Sequence, residues 1–81
     1  MKLNELAFAY ASGIFGGVWV FLMMAFSLLT GRVSDLMARA AALHWASYSW
    51  GGALLMLAEH AVAWFILGWL FAWLYNLFVK D

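Results

Sequence analysis

The stretch that decides the fold is Leu6–Leu29, LAFAYASGIFGGVWVFLMMAFSLL, which contains no charged side chain. At about 1.5 Å per residue, a helix of this length reaches roughly 36 Å, enough to cross a bilayer with some tilt. A second run, Ala53–Val79, ALLMLAEHAVAWFILGWLFAWLYNLFV, is slightly longer, and its only formal charge is Glu59, with His60 beside it. The expected fold is an all-α membrane protein, with two transmembrane helices in a hairpin making one membrane domain over 1–81. Composition points the same way. Hydrophobic residues make up 69% of the chain and charged ones 10%, far from the balance of a soluble domain. So short a chain leaves much of its surface outside any core, so it cannot hide this much apolar side chain by itself.

Several function classes are disfavoured at once. Formal net charge is zero, so there is no basic field for nucleic acid and no acidic one for a basic partner. With no cysteine, disulfide staples and thiolate metal sites are excluded. Met1-Lys2-Leu3-Asn4-Glu5 makes a poor secretory signal, because Lys2 is offset by Glu5 and the apolar stretch behind exceeds a normal h-region. It reads as a retained anchor. No Ser-His-Asp set, paired carboxylates or phosphate loop is present. Glu59 and His60 diverge by about 100° on a helix and do not form a dyad. A non-enzymatic protein is expected.

The first span ends at Thr30-Gly31, glycine being favoured just past a helix C-terminus. The connecting segment, 32–50, is expected to be structured. Ser34 can cap a helix beginning at Asp35, and Asp35 and Arg39 are an i, i+4 pair of opposite charge. Leu36, Met37, Ala40 and Leu43 recur at helical spacing. These features predict a short amphipathic helix in the membrane interface, against the alternative of a soluble stalk. Gly51-Gly52 is expected to turn the chain into the second span, and His44 to be an exposed interfacial histidine. Trp45, Tyr48 and Trp50 anchor the loop side, with Trp73, Tyr75 and Tyr10 at the other interface. Trp19 and Trp64 fall too deep for either belt. Arg32 and Arg39 on the loop balance Lys2 and Lys80 at the ends, so the positive-inside count is a tie.

The first span carries a stripe of mostly small residues. Ala9, Gly13, Gly16, Gly17, Val20, Met24 and Ser27 project within roughly 100° of one another. Gly13 and Gly17 form a GxxxG pair, which lets helix backbones approach closely in lipid. Ala61, Gly68 and Ala72 make a weaker face on the second span. About 180° from Gly68 lie Gly52, Met56, Glu59 and Ala63, flanked by His60. A carboxylate two turns inside a span costs a few kcal/mol in hydrocarbon unless it is protonated, paired or turned inward. One neighbouring helix covers only one of these faces. A second copy of the chain is the simplest cover for the other, so a homo-oligomer joined through small-residue faces is expected, alone or in a larger membrane complex.

Four readings of Glu59 and His60 stay open. Glu59 can glue subunits through a hydrogen bond. The pair can line a narrow, pH-sensitive pore or proton path, histidine being the side chain most easily titrated near neutrality. His60 can ligate the metal of a tetrapyrrole. Met56 and His60, joined by Met23 or Met24, can hold Cu(I).

A family resemblance covers nearly the whole chain. Its residues are the opening Met1-Lys2-Leu3-Asn4, Gly13-Ile14 and Val20-Phe21-Leu22 within Ala9 to Leu22, and Tyr48-Ser49-Trp50-Gly51-Gly52-Ala53. The ending Gly68-Trp69-Leu70-Phe71-Ala72-Trp73-Leu74-Tyr75-Asn76-Leu77-Phe78 completes it, Trp73-Leu74-Tyr75-Asn76 being the most specific piece. Together they resemble a bacterial family of small two-helix membrane proteins, without assigned biochemical role and labelled bacteriophage-holin-like. The resemblance implies a multi-pass protein of the bacterial inner membrane that self-assembles and permeabilises it. Glu59-His60-Ala61-Val62-Ala63-Trp64 departs from the family, whose second helix is richer in glycine there and often carries an aspartate. Glu59 and His60 are therefore the most individual feature of this chain.

Overall fold

Asn4 starts the first helix: its side chain accepts the Ala7 amide N–H at 2.9 Å, satisfying one of the free donors at a helix start. Helix α1 then runs Glu5–Thr30 and stops at Gly31, which takes φ 73° and donates its N–H to the Ser27 carbonyl. The Thr30-Gly31 stop is as expected. The computed structural model describes residues 1–80 and adds two further helices, α2 over Ser34–Leu43 and α3 over Trp50–Phe78. Both α1 and α3 are long and apolar enough to cross a membrane. They pack as an antiparallel hairpin, with the short helix tucked against its side.

The α1–α3 contact is made by backbone. All seven residues of the α1 stripe, from Ala9 to Ser27, are buried. A Cβ placed on Gly13 would stand 2.8 Å from the Ala61 carbonyl oxygen, and one on Gly17 would stand 3.0 Å from that of Leu57. Farther along, Gly68 receives Ser12, and Ala72 is fully buried. Beyond this seam the contact is aromatic: Phe8 stacks on Phe71 at 5.4 Å and Tyr10 meets Phe65 edge-on at 5.2 Å. Within the chain these small-residue faces meet each other, α3 reaching the α1 stripe as an intramolecular partner.

Each end of the hairpin has a polar clasp. Asn76 accepts the Leu3 N–H at 2.7 Å, and its amide donates to the Leu3 carbonyl at 2.7 Å and to Glu5 Oε1 at 2.9 Å. At the other end Ser27, fully buried, shares a 2.7 Å hydrogen bond with the Tyr48 hydroxyl. Tyr48 is thus turned inward rather than standing as a free anchor.

Helix α2 differs from expectation at its start and on its inner face. Its N-cap is Val33, in the left-handed region at φ 50°, without a side-chain cap bond; Ser34 is already helical. Met37 and Ala41 are the buried residues, joining Val20, Met24, Ala53 and Met56 in one core, with Ala40 partly buried beside it. Leu36 and Leu43 point outward. Two sides of α2 are therefore apolar, and only one faces the hairpin.

The second span begins one turn earlier than its glycines suggest. Ser49 caps α3 by accepting the Gly52 N–H at 3.1 Å, so Gly51 and Gly52 lie inside its first turn. Gly52 allows a close approach instead, since a side chain there would collide with the Ser47 backbone. The premise that α3 has a single neighbour is also corrected. The connecting segment supplies a second, covering Gly52 and Met56, while Ala63 stays exposed and Glu59 half-exposed. The wheel places Gly52 and Met56 opposite Gly68 correctly, but the two sides have different covers.

Close approach should make this seam intolerant of volume. Gly13→Ala and Gly17→Ala are each expected to destabilise the hairpin by about 1–3 kcal/mol, the usual cost of overpacking. At Gly51 an added Cβ meets only Ser49 Oγ, at 3.8 Å, so Gly51→Ala should show no loss. Unfolding by denaturing detergent, followed by circular dichroism, measures all three.

Candidate functional site

The chain has two histidines, and the fold brings them together. His60 lies ten residues beyond Trp50 in α3, about 15 Å along the helix axis. His44 is the C-cap of α2. Their ring centroids are 4.8 Å apart, with planes inclined at 43°, and both residues are half-buried. The expectation of an exposed interfacial His44 is corrected by this contact.

The end of α2 explains how His44 gets there. Trp45 takes φ 56°, a left-handed conformation. Its N–H donates to the Ala42 carbonyl and that of Ala46 to the Ala41 carbonyl, at 3.2 and 2.8 Å. This is a Schellman stop with tryptophan where glycine is usual. Holding an L-residue there costs roughly 1–2 kcal/mol. The reversal keeps Ala41 in the core and His44 on the α3 side, and sends Trp45 outward, 89% exposed.

Each imidazole is oriented by its own helix. His60 Nδ1 lies 2.8 Å from the Met56 carbonyl and His44 Nδ1 lies 2.7 Å from that of Ala40. A carbonyl only accepts, so in the neutral rings each Nδ1 carries the proton and donates, leaving each Nε2 a bare lone pair. Neither Nε2 is an enclosed atom; Glu59 Oε1 alone is buried without a hydrogen-bond partner among the described residues. Both lone pairs are therefore accessible.

Glu59 stands apart from this pair. It is half-buried and lines an open groove with Ala58, Val62, Ala63 and Ile66. His60 is turned along its helix to Met56, so the two sequence neighbours do not bond to each other. Among the described residues, nothing donates to Oε1.

The other predicted residues fall into place around these two features. Met56 is 1% exposed and fills the core with Met24 and Met37, whereas Met23 faces outward. His60 thus meets an imidazole where the copper reading put a thioether, and Met56 serves as packing. The tetrapyrrole reading does not gain a second axial ligand from His44. Trans imidazoles on one metal have centroids about 6.4 Å apart, given metal–nitrogen bonds of about 2.0–2.1 Å. Among the described residues, no group of three or more His, Cys, Asp or Glu comes together. Trp50, Trp73 and Tyr75 are exposed near the hairpin ends, and Trp19 and Trp64 face outward between them. Gly16 lets the Trp64 ring lie across α1.

Sequence reasoning sets His44 aside as an exposed interfacial residue and gives Asn76 no hydrogen-bonding role. A usable signal for His44 was that an otherwise apolar chain carries only two histidines, one just past α2 and one within a span. Asn76 is the only carboxamide in the second span, which marks it as a residue in need of a partner. Comparison of the chain with models of known protein families, with curated proteins and with solved structures finds no match.

The tautomers are directly measurable. Nitrogen-15 NMR of the protein in micelles at pH 8 should show both histidines with Nδ1 protonated and Nε2 bare, the reverse of the form favoured by free imidazole side chains. Replacing His44 with glutamine should leave the His60 pattern intact, because Met56 rather than His44 sets it.

Proposed function

We propose that this chain is a non-enzymatic, two-span membrane protein that assembles with further copies of itself through the Glu59 face of α3. The observation that carries the reading is the half-exposed Glu59, which lines an open groove on the outward face of α3 with its Oε1 lacking a donor among the described residues. An unsatisfied carboxyl group in hydrocarbon costs several kcal/mol, and Oε1 has no hydrogen-bond partner among the described residues. Ala58 and Ala63 flank Glu59 and are small enough for another helix to approach to its level.

The surface favours lipid around the rest of the hairpin. Phe15, Trp19, Leu22, Val62, Ile66, Leu70 and Leu74 are all exposed, on both long helices. Apolar surface this continuous, on helices of spanning length, is what a bilayer covers. Leu36 and Leu43 on the outer side of α2 suit the membrane interface. The resemblance to holin-like bacterial proteins favours the bacterial inner membrane and a membrane-permeabilising role. In this reading the contact between copies is a polar one at Glu59, since the glycine stripe is already occupied.

Mass measurement in nanodiscs tests the assembly. Wild-type protein should be oligomeric, and Glu59→Gln, which keeps an acceptor and adds a donor, should remain so. Glu59→Leu should weaken association by at least about tenfold, equal to 1.4 kcal/mol. A monomeric wild type at every lipid-to-protein ratio would remove the proposal. Ion flux from liposomes carrying the oligomer then separates a conducting assembly from a scaffold.

A further inference from the structure

We infer that His44 and His60 form a two-imidazole site for a divalent transition-metal ion, which clips the end of α2 to the side of α3. This inference is independent of self-assembly, because both ligands belong to one chain. It rests on three observations. The rings are adjacent, both Nδ1 atoms donate to carbonyls of their own helices, and neither Nε2 is a buried atom or bonded to any described residue.

The distance fits one ion. Imidazole nitrogen binds zinc at about 2.0–2.1 Å, and the ring centre lies roughly 1.1 Å beyond the ligating atom. Two imidazoles bound at 90–110° to one another on a single ion then have centroids roughly 4.5–5.2 Å apart. The observed 4.8 Å falls inside that range.

The tautomers fit as well. A metal-ligating histidine almost always donates its other ring N–H to a carbonyl or carboxylate, which fixes the ring and raises its basicity. Here both second partners are in place, the carbonyls of Ala40 and Met56. In the neutral rings no proton has to leave, since each Nε2 already presents its lone pair. Imidazole donors suit zinc, copper, nickel and iron rather than magnesium or calcium. The remaining coordination positions are left for water or an added ligand. Both residues stand on the connecting-segment side of α3, so an ion reaches them from the loop end of the hairpin.

Such an ion would act on the fold. It would join the C-cap of α2 to the third turn of α3, reinforcing a contact otherwise made by Met37, Ala41 and their neighbours. Titration of the purified full chain in micelles with zinc chloride, followed by calorimetry and histidine nitrogen-15 NMR, tests this. The wild type should bind one zinc per chain, with both Nε2 signals shifting together at the same stoichiometry. His44→Gln and His60→Gln should each weaken binding by at least about tenfold, which is 1.4 kcal/mol, with helix content by circular dichroism unchanged. Glu59→Gln should bind as the wild type does. Zinc uptake unaffected by His44→Gln, or a shift confined to one histidine, would overturn the site. So would a wild type that binds no more zinc than the His44→Gln, His60→Gln double variant.

Discussion

The backbone contact between α1 and α3 is the constraint on which everything else depends. For helices of spanning length a bilayer would offer no hydrophobic gain from bringing them together, so tight packing has to hold the pair. Gly13 and Gly17 create that tightness by letting the Ala61 and Leu57 carbonyls approach to distances at which a Cβ would already crowd them. Once this seam sets the register, the two polar clasps meet their partners. Asn76 comes level with Leu3 and Glu5, and Tyr48 comes level with Ser27. Each clasp satisfies groups that would otherwise face an apolar surrounding, so it adds specificity to a contact that is non-directional along most of its length.

The same register decides where the connecting helix can go. Met24 and Ser27 lie at the loop end of the α1 stripe, beside Ala53 and Met56 of α3. Met37 and Ala41 close over this end, with three flexible thioethers filling the space between three helices. The stop at Trp45 then fixes what leaves the core. A helix that ran one more turn would carry His44 along its own axis; the left-handed residue reverses the chain instead and leaves His44 on the α3 flank. The histidine contact is therefore a consequence of the helix stop, and hence of local backbone conformation rather than of any attraction between imidazoles.

Much of the architecture is legible in the sequence because it depends on period and length. The seven buried α1 positions follow from a helical wheel, and both spanning-length helices follow from long apolar runs. What escapes the wheel is which partner meets each face. A stripe of glycines says that a backbone approaches and is silent about whether that backbone belongs to the same chain. Likewise, the split between Gly68 and Met56 is plain in sequence, but the helix that covers Met56 comes from a segment whose inward face is set by a turn. Val33 and Trp45, both in left-handed conformations, hold that turn geometry at residues whose types give no warning of it. The two lone histidines of the sequence hint at a pair, but their contact is set by topology and not by spacing.

Glu59 and His60 show how one turn of helix can divide polar duties. They differ by about 100° in direction, and the α2 flank lies on only one of the two sides. His60 falls on the covered side, where a carbonyl one turn back takes its N–H and a second imidazole meets its ring. Glu59 falls on the open side, where its own helix presents only small and aliphatic neighbours. A carboxylate is acceptor-only, so no backbone carbonyl of α3 can satisfy it, and the helix amides are already engaged in the i→i−4 ladder. Glu59 Oε1 therefore finds no donor on its own helix, and the outward face of α3, rather than the glycine seam, is where a polar atom of this chain stands unpaired among the described residues.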